Sequence, residues 1–166
     1  MSKTETPEEK LWQLIKEMKF AMFTHRHADG QLHAHPLTTQ NRSIDKNGLL
    51  YFFVSRKSEV GQRIQADGNV CVTYGDPGED TWVSISGTAR VNNDKAEKER
   101  LYNPIVKAWF PGGVEDPDLE LVEVKINHAE YWDIQESKMT QLLKMATAAV
   151  TGTPPKLGDH REVKLA

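Results

Sequence analysis

Apolar residues recur at helical spacing at the start of the chain. Leu11, Leu14, Ile15 and Met18, with Trp12 beside them, predict a first helix with one buried face. Thr6 suits its N-cap, Pro7 its first position, and Glu9 completes a capping box. The pattern then switches to alternation. Phe20 to His25 predicts a strand, Asp29-Gly30 a hairpin turn, and Leu32 to Thr38 the returning strand. After a turn at Asp45-Lys46-Asn47-Gly48, the run Leu49 to Val54 is apolar on both faces and predicts a central, doubly covered strand.

Ser58 predicts the cap of a short helix ending near Asp67-Gly68. Val70 to Tyr74 and Trp82 to Val91 read as strands joined at Asp76-Pro77-Gly78, and Gly87 suggests a bulge in the second. Asn93-Asp94 opens a charged helix reaching about Tyr102, and Trp109 to Gly113 reads as a loop. Leu121 to Ile126 and Glu130 to Ile134 read as two closing strands, and Lys138 to Val150 as a last helix. The fold class expected is mainly β (α+β): a six- to seven-stranded antiparallel barrel, partly open, with peripheral helices. Residues 1–150 form one domain in this reading, and 151–166 an extended tail with Pro154-Pro155 that wraps a neighbour.

Composition narrows the function classes. A chain of 166 residues with formal net charge −3 lacks the basic stripe of a nucleic-acid binder. The single cysteine, Cys71, excludes an internal disulfide and, within Val70-Cys71-Val72, reads as a small buried hydrophobe. The N-terminus lacks a secretion signal and no run has the ~18 apolar residues of a membrane span, so a cytoplasmic location without membrane partners is expected. Neither a Gly-x-Ser-x-Gly elbow nor a phosphate-binding glycine fingerprint occurs.

Four histidines, His25, His27, His33 and His35, form two His-x-His pairs on the first hairpin. A two-residue turn at Asp29-Gly30 sets His27 opposite Leu32 and His33 opposite Arg26, so the pairs face opposite ways. A three-residue loop over Ala28, Asp29 and Gly30, or over Asp29 to Gln31, changes the pairing, and only the alignment of His27 with His33 is expected to gather all four. Imidazole is the commonest protein metal ligand. The preferred reading is nevertheless polar residues on a half-exposed hairpin, with no metal site assigned. Arg56-Lys57-Ser58, between a strand and a helix start, suits a phosphate.

Several segments occur in a familiar order. They are Asp29-Gly30, His35-Pro36, Leu50 to Val54, Ser58, Val83 to Ala89, Ala108 to Gly113, Asp116-Pro117 and Ala129 to Asp133. From about residue 8 to 150 the chain resembles the general stress protein 26 branch of the pyridoxamine 5′-phosphate oxidase-like FMN-binding split barrels. That resemblance implies a homodimer with FMN in the groove between subunits. His35, Pro36, Leu37, Thr38, Phe53 and Val54 would flank the flavin. Ser58 would meet its phosphate, with Lys57 or Arg56 as a substitute cation from a different direction, and Trp109 would approach from the partner or the groove edge. Members commonly carry arginine where this chain has His35, and lysine where it has Val60; both cations serve the phosphate. The function implied is that of an FMN-binding, stress-related protein, with a flavin-dependent oxidoreductase as its enzymatic form. Pyridoxamine phosphate oxidation itself is not expected. The alternatives are a non-catalytic flavin-binding or sensing module, or a split barrel holding haem or metal through the hairpin histidines.

Overall fold

The computed structural model describes residues 4–43 and 45–165. Helix α1 (Pro7–Met18) begins as its sequence dictates. The Thr6 side chain accepts from the Glu9 amide, and the Glu9 carboxylate accepts from the Thr6 amide. Its face of Leu11, Trp12, Leu14 and Ile15 is buried in the main core.

The strands are β1 (Phe20–Arg26), β2 (Leu32–Thr38), β3 (Leu49–Ser55), β4 (Asn69–Asp76), β5 (Thr81–Val91), β6 (Leu119–Asp133) and β7 (Asp159–Val163). They form one antiparallel sheet in the order β2-β1-β4-β5-β6-β3, with β7 added to β6. The sheet curls on itself. The Gln40 amide bonds to the Tyr51 carbonyl at 2.8 Å, which brings the ends of the path, β2 and β3, side by side without a ladder. A barrel closed everywhere except at this seam is a split barrel. Inside it Phe23 and Phe52 meet edge to face, their centroids 5.6 Å apart.

The helices between strands are α2 (Glu59–Arg63), α3 (Lys95–Leu101), α4 (Pro104–Trp109) and α5 (Lys138–Thr151), with a 3-10 turn at Gly113–Glu115. No helix among the described residues is long and apolar enough to cross a membrane.

Several expectations need correction. The Leu49–Val54 strand is not central; β3 ends the path and, among the described residues, pairs with β6 alone. It is apolar on both faces because a second cluster, in which Leu101 of α3 packs with Tyr51 and Leu121, covers its outer side. The two closing strands are one, β6, running unbroken through Asn127 and His128. The bulge expected at Gly87 is present: the register shifts between Ser86 and Gly87, with Asn127 of β6 as the extra residue. A Cβ at Gly87 would lie 2.6 Å from the Lys125 carbonyl oxygen, so the position requires glycine. Trp109 belongs to the end of α4 rather than to a loop. Cys71 is only partly buried, because it sits on the outer face opposite Thr24 and Ser86. Within the tail, β7 pairs along β6 of its own chain, and Val163 enters the core.

Candidate functional site

The seam between β2 and β3 opens into a cavity of about 510 Å³. One wall is the end of β2, with His35, Pro36, Leu37 and Thr38. The facing wall is β3, with Phe53, Val54 and Ser55. The start of α2 closes one end, and α4 supplies Ile105, Val106 and Trp109 at the rim. Val106 is buried, whereas Ile105 and Trp109 are 61% and 80% exposed, so Trp109 is not core.

Local chemistry shapes the α2 end. Ser58 caps the helix: its hydroxyl accepts from the Gly61 amide at 3.1 Å and donates to the Ser55 carbonyl at 2.6 Å. A Cβ at Gly61 would lie 2.6 Å from that same carbonyl oxygen, so glycine permits the tight turn from strand to helix. The preceding loop is pinned by Asp118. Its carboxylate accepts from the Ser55 hydroxyl at 2.7 Å and the Lys57 amide at 3.3 Å, and its carbonyl accepts from the Arg56 amide.

Of the residues assigned from the sequence, His35, Pro36, Leu37, Thr38, Phe53, Val54, Ser58 and Trp109 line this one cavity. Lys57 does not. With Arg56, Gln62 and Gln65 it borders a separate depression on the other side of the loop. No lysine or arginine lies among the described residues lining the seam cavity, which instead carries the carboxylates of Glu59 and Asp118.

Glu59 gave no sequence signal, yet it organises the hairpin histidines. The hairpin turns through a three-residue loop, Ala28, Asp29 and Gly30, with Gly30 at φ +86° and the His27 amide bonded to the Gln31 carbonyl. This register sets His25 opposite His33 and Phe23 opposite His35, so all four imidazoles share one face. The expectation that only a His27–His33 pairing could gather them is therefore wrong. Any three-residue loop shifts the pairing by an even number and keeps the four on one side.

From the first turn of α2 the Glu59 carboxylate reaches into the group. Its Oε1 lies 2.6 Å from His33 Nδ1 and 3.3 Å from His27 Nε2, while Oε2 lies 3.2 Å from His35 Nε2. His25 Nε2 is 3.1 Å from His35 Nε2. His25 is 1% exposed, and its enclosed Nδ1 makes no well-formed hydrogen bond. Burial lowers its pKa below the ordinary histidine value, favouring the neutral ring. Burial alone would raise the Glu59 carboxyl, but the His33 bond and the neighbouring imidazoles reverse this and hold it below the usual range.

Comparison with known proteins agrees with this architecture. Residues 6–156 match the family model described as pyridoxamine 5′-phosphate oxidase like. Protein bli-3 of Neurospora crassa is 28% identical over 133 residues, covering 75% of this chain and 62% of that protein. General stress protein 26 of Bacillus subtilis is 27% identical over 79 residues, covering 46% of this chain and 56% of that protein. The chain thus spans less than two thirds of either curated relative. The general stress FMN/FAD binding protein of Xanthomonas citri superposes with a TM-score of 0.68 at 33% identity, over 79% of this chain and 90% of that one. With the split-barrel fold, the seam cavity and a family match over most of its length, the chain belongs to the pyridoxamine 5′-phosphate oxidase-like family.

Proposed function

We propose that this chain is a stress-related flavoprotein that binds FMN in the seam between β2 and β3 and works as a cytoplasmic homodimer. The observation that carries the reading is the convergence of eight sequence-assigned residues on one cavity of a size ordinary for a cofactor site. The Xanthomonas citri relative, described as FMN/FAD binding, supports it.

The fit differs along the cavity. Pro36, Leu37, Phe53, Val54 and Trp109 present apolar surface that suits a planar isoalloxazine ring. The phosphate end suits its group less well. Ser58 already spends its proton on the Ser55 carbonyl, no lysine or arginine among the described residues lines the cavity, and Glu59 adds negative charge. His35 is the side chain there able to donate. Binding weaker than in relatives with two fixed cations follows.

The homodimer accounts for the exposed apolar rim of Ile105 and Trp109, which a second copy would cover. It would also account for Met139, Leu142, Leu143 and Val150, exposed at helical spacing along α5.

When bound, flavin supplies electron transfer, and the protein supplies orientation and electrostatics. An oxidoreductase and a passive sensing module make the same cavity. The absorption spectrum of the purified protein reconstituted with FMN, followed during titration with NADH or NADPH, separates them. Bleaching of the bound flavin supports an oxidoreductase, retained colour supports a binding module, and no bound flavin rejects both.

A further inference from the structure

We infer that His25, His35 and Glu59 form a divalent transition-metal site of the zinc class at the α2 end of the barrel, with its free coordination position opening into the seam cavity. Four-coordinate zinc with bonds of ~2.0–2.1 Å has donor atoms about 3.3 Å apart along each edge of its tetrahedron. His25 Nε2 and His35 Nε2 already stand near that spacing, 3.1 Å apart. The two Glu59 oxygens reach them separately, Oε2 at 3.2 Å from His35 Nε2 and Oε1 at 3.9 Å from His25 Nε2. One ligand atom from each of the three residues lies within 4.8 Å of the others.

A merely structural cluster explains this arrangement poorly. Two imidazole Nε2 atoms in contact can share one proton, so in neutral rings at least one lone pair faces the other ring and the carboxylate. His25 is enclosed, and a proton held at its Nδ1, beside the backbone of Arg26, leaves the Nε2 lone pair directed at His35 and Glu59. Two imidazoles and a carboxylate suit Zn²⁺, with Co²⁺ and Ni²⁺ as chemical relatives.

The remaining pair serves as support. His33 and His27 stack at 4.5 Å between centroids and hold Glu59 Oε1 from the far side, as outer groups orient a ligating carboxylate. His35 and Glu59 also line the cavity, so a water or an anionic ligand can take the fourth position from that side.

The test needs no flavin, so its failure and the failure of the flavin reading are distinguishable. Chelator-stripped protein is titrated with Zn²⁺ by calorimetry, and with Co²⁺ by its visible ligand-field spectrum. One ion per chain is expected, with the intense Co²⁺ bands of four-coordination. His35→Ala and Glu59→Gln should each abolish stoichiometric binding. His33→Ala should weaken it about 10–100-fold, as loss of outer-shell support does. His128→Ala, in a separate exposed His–Glu group on β6, should bind like wild type. Far-UV circular dichroism establishes that each variant is folded, and Glu59→Gln keeps the shape of the side chain if His35→Ala does not fold. Absence of binding at micromolar Zn²⁺, or binding unchanged in folded Glu59→Gln, overturns the inference.

Discussion

Glu59 Oε1 lies 2.6 Å from Nδ1 of His33, a contact between residues 26 positions apart that ties the first turn of α2 to the hairpin β1–β2. It places a carboxylate, rather than a cation, at the end of the cavity where the sequence resemblance puts a phosphate.

The first prediction follows from that charge. In metal-free protein, Glu59→Gln should tighten FMN binding, because one negative charge near the phosphate is removed. Fluorescence titration in the presence of a chelator measures this. Equal or weaker binding would place the phosphate elsewhere.

Supplying a fixed cation should do more. A hydrogen bond to a charged group contributes ~1.5–3 kcal/mol, so His35→Arg should raise FMN affinity roughly ten- to a hundredfold. Val60→Lys is a poorer route. Val60 lines the cavity but is 3% exposed and belongs to the main core, so a lysine there should cost on the order of 2–4 kcal/mol of stability. Denaturant unfolding and FMN titration of the two variants separate these effects.

Away from the cavity, Lys10 Nζ lies 2.9 Å from the buried Asp133 carboxylate and joins α1 to the end of β6. Burial would raise the Asp133 carboxyl, but Lys10, Gln135 and Thr81 overcome this and leave it below the ordinary carboxylate value. A carboxyl lowered on folding contributes stability that is fully present above its unfolded pKa and lost as pH falls through its folded pKa. Lys10→Met should therefore cost about 2–3 kcal/mol at neutral pH, less than a fully enclosed pair because Gln135 and Thr81 remain. The deficit should shrink below about pH 4, where Asp133 protonates in the unfolded chain. Urea denaturation at pH 7 and pH 3 measures both values. A deficit independent of pH would show that Lys10 acts by packing alone.

Local signals carried much of this fold. The Thr6–Glu9 capping box and the Gly87 bulge follow from side-chain and backbone requirements confined to a few residues. What was not legible depends on partners distant in sequence. The outer cover of β3 comes from Leu101, and the continuity of β6 comes from pairing with β3, β5 and β7. Asp29-Gly30 left a two-residue turn and a three-residue loop both open, and Gly30 in the left-handed conformation, with His27 bonded to Gln31, selects the loop over Ala28, Asp29 and Gly30. At the site, the walls at 35–38 and 53–54 were visible through resemblance. Glu59 was not, because only the packing of α2 over the hairpin reveals its role. Lys57 was assigned by its proximity to Ser58 along the chain, but the amide bond to Asp118 holds its backbone in a loop bordering a different depression.

Trp109 gives a prediction about assembly. At 80% exposure its removal should leave the monomer's stability nearly unchanged, in contrast to the ~3–5 kcal/mol lost when a buried aromatic is truncated. Trp109→Ala should instead weaken dimerisation or flavin binding. Light scattering and thermal melting together check this, and a wild-type monomer at micromolar concentration would contradict the two-chain groove.

The central claim is that the seam between β2 and β3 is a flavin site. Titration of the stripped wild-type protein with FMN, followed by quenching of flavin fluorescence, tests it most directly when repeated on Thr38→Trp, which fills the half-buried end of β2 inside the cavity. One FMN per chain in the wild type, with binding lost in a folded Thr38→Trp, is the predicted result. No saturable binding in the wild type, or equal binding in both proteins, would contradict it.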